Sequence, residues 1–437
     1  MCCDPAMSAL LRQTQIYLEG ISGRTPRVPI DARRLEAEAE RRMHADAFAY
    51  VATGAGHEHT VAANRAAFDD WRIVPRMLRD VGDRDTSVEL FGRRMPNPFL
   101  LAPIGVLELA HREADLAVAR AAKDTGTPMI LSNQASRPME QVSAELGSTP
   151  RWFQLYWSKS DELVESLVRR AERCGAEAIV VTLDTTMLGW RTRDLERAYL
   201  PFLRGKGIAQ YTSDPVFTRL ISEPGPKPPP EQQPRPSLSA LGTLIALTRA
   251  YPGSFVQTLR SGIGRAAVQR FIEIYSRPTL TWEHLGFLRE RTNLPILLKG
   301  ILHPDDAARA IDAGMDGIVV SNHGGRQVDG SIATLEALPA VIGAVAGRIP
   351  VLMDSGIRGG ADIFKALALG ASAVLIGRPY VYGLALAGRT GVREVIQNLA
   401  VDFELTMGLA GCRTTADIDA EALVPAPAAG PGSVRVP

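Results

Sequence analysis

From residue 98 to residue 377, short runs rich in Val, Ile and Leu recur between longer amphipathic stretches. The runs are FLLAP (99–103), PMILS (128–132), WFQLY (152–156), AIVVTLD (178–184), PILLKG (295–300), GIVVSN (317–322), PVLMDSG (350–356) and AVLIG (373–377). None alternates apolar with polar residues, which is the pattern of strands buried on both faces. Between most of them lie stretches such as HPDDAARAIDAG and GGADIFKALALG, which open on polar residues and stop at glycine, as helices do. Run ends at Ala102, Ser132, Tyr156, Asp184, Lys299, His323, Asp354 and Gly377 are 23 to 31 residues apart, save for one gap of 115 after Asp184. That spacing predicts eight strand–helix units with one long insertion. Eight parallel strands with alternating helices close into an α/β fold, the (β/α)8 TIM barrel. The alternative, an open doubly wound sheet, lacks its GxGxxG after the first strand.

Residues 1–97, amphipathic around 33–50, read as an N-terminal helical extension leading into a barrel of residues 98–412. Residues 188–277 form the long insertion after strand 4, and 413–437 read as a C-terminal tail. Within the insertion, the prolines of EPGPKPPPEQQPRP (223–236) disfavour regular structure and predict an extended, mobile stretch. The apolar LSALGTLIALTRAY that follows is expected as a helix over the barrel mouth or at a subunit contact, rather than on a membrane.

Composition narrows the function classes. Of 437 residues, 46% are hydrophobic and 22% charged, ordinary for a soluble globular protein. A net charge of +1 offers no general attraction to nucleic acid. Cys2, Cys3, Cys174 and Cys412 form neither a disulfide framework nor a zinc spacing. The start, MCCDPAMSALLRQ, lacks a secretory pattern, and no apolar run is long enough to cross a bilayer, so a cytoplasmic location is expected.

In this fold chemistry belongs at the C-terminal strand ends, and those ends are polar here. They carry Gln154 and Tyr156, Thr182 and Asp184, Lys299, His323 with Arg326, Asp354 with Arg358, and Gly377–Arg378. Singly, each has a plain structural reading: a solvated lysine, a capping aspartate, a packed tyrosine. Their convergence on one face does not. DSGIRGG (354–360) and GRP (377–379) offer backbone amides on glycine-rich turns beside two arginines, the usual phosphate cradle after strands 7 and 8. His323 suits a general base, and Arg326 a two-pronged carboxylate clamp. A carboxylate such as Asp184 beside the imidazole is expected to raise its pKa. Lys299 is placed to neutralise negative charge on a cofactor. With one His and scattered carboxylates at these strand ends, and no HxH or HExxH among them, a metal centre is not expected. Oxidation of a small acid by a phosphate-bearing cofactor is the reading these groups share.

SNHGGRQ (321–327), LKG, DSGIRGG and IGRP, in that order, resemble the FMN-dependent L-2-hydroxy acid oxidases and dehydrogenases, from about residue 30 to 412. WFQLYW, TLDTTMLGWR, YLPFLRGKGIAQYTSDPVF and the long insertion resemble that family's lactate monooxygenase branch. The resemblance implies FMN, with its phosphate around Asp354, Ser355, Gly356, Arg358, Gly377 and Arg378. Its ring would lie on Pro103, Ile104 and Gly105, with Ser132, Gln154, Thr182 and Lys299. It implies that Tyr50 (in AYVATGAG), Arg191 and Arg326 bind the substrate carboxylate, and that Tyr156 bonds its hydroxyl. His323 would take the proton, with Asp184 behind it. Gly105 stands where the family's oxidases usually carry alanine, and Gln134 where many plant-type members carry tryptophan.

The implied reaction is oxidation of L-lactate by O2, with the retained pyruvate decarboxylated to acetate, CO2 and water. The alternative is an oxidase or dehydrogenase that releases the 2-keto acid, with hydrogen peroxide if an oxidase. A non-catalytic flavin scaffold is the third. A homotetramer or homo-octamer is implied by the family alone, and neither nucleic acid nor membrane is expected as a partner.

Overall fold

The computed structural model describes residues 9–223 and 237–427. Cys2, Cys3, nearly all of the proline-rich stretch and the last ten residues of the expected tail lie outside the described residues.

Eight parallel strands form a closed barrel: β1 (Phe99–Leu101), β2 (Met129–Leu131), β3 (Arg151–Leu155), β4 (Ile179–Thr182), β5 (Ile296–Ile301), β6 (Gly317–Val320), β7 (Val351–Met353) and β8 (Ala373–Ile376). Each falls within one of the eight apolar runs or extends it by a residue. β8 pairs with β1, Leu375 opposite Leu100, which closes the ring. The absence of alternation has a direct cause. Leu100, Ile130, Trp152, Val180, Leu297, Val319, Leu352 and Leu375 fill the barrel, while neighbours such as Phe99 and Leu101 pack outward on the helices. Both faces are therefore apolar.

The N-terminal extension contains the helices Ala9–Ile21, Ala32–Arg42, Ala45–Ala52 and His59–Ala66. It also contains an antiparallel hairpin, Val88–Leu90 with Arg93–Met95. Leu90 and Met95 join the barrel-interior cluster, so the hairpin plugs the end opposite the candidate site. Residues 413–427, expected within a tail, are instead packed: Leu423–Pro425 pairs with Trp71–Ile73.

The described part of the insertion is mostly helical and anchored by charge. Arg170, on the helix Asp161–Arg173, bonds Asp214 at 3.1 Å and Glu140 at 2.9 Å, with the Arg170 and Asp214 side chains 4% and 0% exposed. Asp214 also caps the helix Pro215–Ser222 by accepting from Val216 N–H. Aromatic packing continues from there: Tyr211 meets Phe217 and Phe271, and Phe202 meets Phe271 and Tyr275. The helix Leu238–Ala250 packs on Pro201–Arg204 and Ile263–Ile274. It backs Phe202 rather than covering the mouth itself.

Candidate active site

A cavity opens at the C-terminal ends of the strands, within a space of about 1100 Å³ that includes open solvent. His323 enters it from the turn after β6, at φ 58°, in the left-handed region that a side chain disfavours. Strain of this kind survives only where surrounding bonds hold it. Here Ser321 Oγ accepts the His323 N–H at 3.0 Å and the Lys299 ammonium at 2.7 Å. Asp184 Oδ1 lies 2.8 Å from His323 Nδ1. Gly300, at φ 111°, lets β5 pass this pair closely, since a Cβ there would stand 2.9 Å from that of Asp184.

Burial favours the protonated form of Asp184, but His323, Lys299 and the hydrogen bonds from His323 and Thr185 outweigh it and hold the carboxyl at about 2. An ionised carboxylate can only accept, so Nδ1 carries the proton and Nε2 is left as the basic nitrogen. Asp184 acts on His323 in the expected direction, but the net shift of the imidazole is the other way. Asp184 does push it up, but burial, with Lys299 and Arg191 nearby, leaves the imidazole below its ordinary 6.5. Charge partners are legible in a sequence; the desolvation that opposes them is not.

Lys299 has the opposite balance. Burial lowers it, but Asp354 at 2.9 Å and Asp184 more than compensate, so it stays charged inside the barrel mouth. Tyr156, 6% exposed, is pushed up to about 12 by burial and Asp184 and keeps its proton for donation.

Four arginines line the same cavity: Arg191, Arg326, Arg358 and Arg378. Among the described residues, none has a carboxylate within ion-pair distance. Arg326 donates to the carbonyls of Tyr50 and Thr53 at 2.7 and 3.1 Å and lies over the Tyr50 ring. Burial, Arg191 and Arg378 push it down to about 9. Arg378 donates to the carbonyls of Val51, Gly324 and Thr53, which ties the extension to the β6 turn. It also begins the long helix Arg378–Leu409, whose N-terminus faces the cavity. A buried excess of cations beside a helix N-terminus calls for anions. Arg358 and Arg378 lie by Gly356 and Gly377, while Pro103, Ile104 and Leu375 provide an apolar wall. A flat ring bearing a phosphate arm, which is FMN, fits this cradle.

All but four of the expected site residues line the cavity: Ser132, Gln154, Thr182 and Asp184 do not. Asp184 lies behind His323. The other three form a buried row in which Ser132 Oγ donates to Gln154 Oε1 at 3.0 Å and Gln154 Nε2 donates to Thr182 Oγ1 at 3.1 Å. Conversely, Thr185, Leu188, Phe202 and Tyr275 line the cavity without having been singled out. Phe202 lay within the quoted YLPFLRGKG segment, but Tyr275 gave no local signal.

The FMN-dependent dehydrogenase family model matches residues 39–425, and the chain belongs to that family. It is 42% identical over 396 residues to an L-lactate oxidase of Lysinibacillus sphaericus (strain C3-41), covering 91% of this chain and 92% of that protein. It is 38% identical over 386 residues to 2-hydroxyacid oxidase 1 of Homo sapiens, covering 88% and 93%. A crystal structure of mandelate oxidase with (S)-4-hydroxymandelic acid superposes with a TM-score of 0.74 at 37% identity, covering 91% and 98%.

Proposed function

We propose that this member of the FMN-dependent 2-hydroxy acid oxidase and dehydrogenase family oxidises L-lactate with O2 and decarboxylates the retained pyruvate, giving acetate, CO2 and water. FMN, when bound, supplies the two-electron acceptor and its reaction with oxygen. Arg191 and Arg326 hold the substrate carboxylate, with Tyr50 beside them, and Tyr156 donates to its oxygen. His323 Nε2 takes the hydroxyl proton, and the ionised Asp184 stabilises the imidazolium so formed. Lys299 offsets negative charge at the ring, and Arg358 and Arg378 hold the phosphate.

The observation that carries the decarboxylating step is the wall built by the insertion. Phe202 and Tyr275, neighbouring rings from near the two ends of the insertion, line the cavity together with Leu188 and Gln134. An enclosed site keeps pyruvate and peroxide together long enough to react. The names of the relatives favour a second reading, an oxidase or dehydrogenase that releases the keto acid. A homotetramer or homo-octamer, on the family resemblance, and the cytoplasmic location expected from the sequence complete the proposal. Among the described residues, no helix is long and apolar enough to cross a membrane.

A product balance on the purified yellow protein with L-lactate in air, without catalase, tests the proposal. Acetate and CO2 equal to the lactate consumed, with little free peroxide, is the expected result. Equal amounts of pyruvate and peroxide would overturn it in favour of the second reading.

A further inference from the structure

Gln327 closes the SNHGGRQ segment, and neither base nor clamp accounts for it. Its carboxamide is fully engaged. Nε2 donates to the carbonyls of Asp184 and Met187 at 2.6 and 2.9 Å. Oε1 accepts from the Gly189 N–H at 3.3 Å and from Arg191 Nη2 at 3.2 Å. A primary amide has two N–H donors and one carbonyl acceptor, so all of its hydrogen-bonding capacity points at one segment.

That segment, residues 184–191, carries the partner of the base, the wall residue Leu188 and a substrate arginine. It lies directly on the turn after β6. A Cβ on Gly189 would stand 2.5 Å from the Arg326 carbonyl oxygen and 2.8 Å from that of Gln327. Arg191 Nε donates to the same Arg326 carbonyl at 3.2 Å. The outward side chains Met187 and Trp190 are 66% and 72% exposed, so core packing does little to hold the segment. Polar ties do that work, and a further one at its apex is the Trp190 carbonyl accepting from Gly56 N–H.

We infer that Gln327 is a positioning residue that locks segment 184–191 onto the β6 turn, so that Arg191 and Arg326 meet one carboxylate while Asp184 stays behind His323. The inference rests on the reading of the site as a 2-hydroxy acid site. It acts through an amide and not merely a polar group. Glutamate at this position has the same shape and would pair with Arg191, but its oxygens would face the two carbonyls that Nε2 now serves. Asparagine, one methylene shorter, cannot span both sides.

The test compares the wild-type, Gln327→Ala, Gln327→Glu and Gln327→Asn holoenzymes. Three quantities are read: the oxalate Kd from the flavin absorbance change, kcat and KM for L-lactate, and tryptic cleavage after Arg191, which is 5% exposed. All three variants are expected to raise the oxalate Kd and KM at least tenfold, with a smaller fall in kcat, and to expose the Arg191 site at unchanged Tm. If Gln327→Ala fails to fold, the isosteric Gln327→Glu carries the test. Kd and cleavage within twofold of wild type, or a Gln327→Glu protein indistinguishable from wild type, would overturn the inference. So would an affinity loss that merely follows a lower Tm with no new cleavage. Failure of the wild-type protein to bind oxalate or be reduced by any 2-hydroxy acid would instead overturn the reading of the site, and the inference with it.

Discussion

His323 Nδ1 and Asp184 Oδ1 stand 2.8 Å apart although 139 residues separate them in the chain. Because Asp184 is held ionised at about 2, the pair presents Nε2 as the proton acceptor, and because burial dominates at His323, the imidazole is neutral at physiological pH.

This balance sets the pH dependence of the reaction. The neutral base is lost as pH falls through its pKa, so the acid limb of kcat/KM is expected below pH 6.5. Asp184 is one of the influences that raise His323; Asp184→Asn should therefore move the limb to still lower pH while reducing the plateau. His323→Gln should cut kcat/KM by about 10²–10⁴-fold, the usual contribution of a positioned base. Rate profiles from pH 4 to 9 check all three, and an acid limb that rises in Asp184→Asn would contradict the assignment.

Lys299 and Asp354 form a buried ion pair whose side chains are 4% and 10% exposed. Removing one partner of such a pair leaves an uncompensated charge and costs about 3–5 kcal/mol. Lys299→Met is expected to lose stability on that scale, and the double variant Lys299→Met/Asp354→Leu to recover part of it. Denaturant titration of the wild type, Lys299→Met, Asp354→Leu and the double variant gives the answer.

Arg358 lies at the phosphate end of the cavity, where the only hydrogen bond of its guanidinium among the described residues is from Nη1 to the Ile357 carbonyl at 3.0 Å. Hydrogen bonds to charged groups contribute about 1.5–3 kcal/mol. Arg358→Met should therefore weaken FMN binding by about one to two powers of ten. The oxalate affinity of the reconstituted protein should change little. Fluorescence titration of the apoprotein with FMN separates the two effects.

At Gly105 a Cβ would stand 2.9 Å from both the Cβ and the carbonyl oxygen of Gln134. That carbonyl accepts the Val106 N–H, so it cannot retreat freely. Gly105→Ala should displace the Gln134 wall, cost about 1–3 kcal/mol as overpacking does, and shift products from acetate toward pyruvate. Product ratios and Tm test this; an unchanged ratio would detach Gly105 from retention of the keto acid.

The insertion can be loosened without touching the cavity. Arg170→Met leaves Asp214 and Glu140 unpaired beneath it, again a loss of about 3–5 kcal/mol. If the wall formed by Phe202 and Tyr275 retains pyruvate, free pyruvate and peroxide should rise in this variant while the initial rate of lactate oxidation is largely kept. Parallel assays of oxygen uptake and pyruvate release decide it.

Much of this molecule is legible in the residue pattern. Strands buried on both faces must be apolar at successive positions, and a βα unit has a nearly constant length, so the eight runs and their spacing identify the barrel. The same fold places chemistry at the strand ends, which is why Lys299, His323, Arg326, Arg358 and Arg378 stand out in the chain itself. The plugging hairpin at Val88–Met95 was not legible, because VEL and RRM form no apolar run and three residues are too few to show alternation.

Only the tertiary structure decided how distant segments meet over the mouth. Tyr275 lines the cavity beside Ile274, whose carbonyl accepts from Ser158 Oγ and Lys159 N–H after β3, and Gln327 reaches Asp184 and Met187 because β4 and β6 flank β5 in the closed ring. Nor could the sequence show that Ser132, Gln154 and Thr182 satisfy one another below the cavity, or that burial would outweigh Asp184 at His323. Periodicity and turn chemistry act over a few residues and are written in order along the chain. Desolvation and long-range hydrogen bonds depend on what lies within a few ångströms after the barrel has closed.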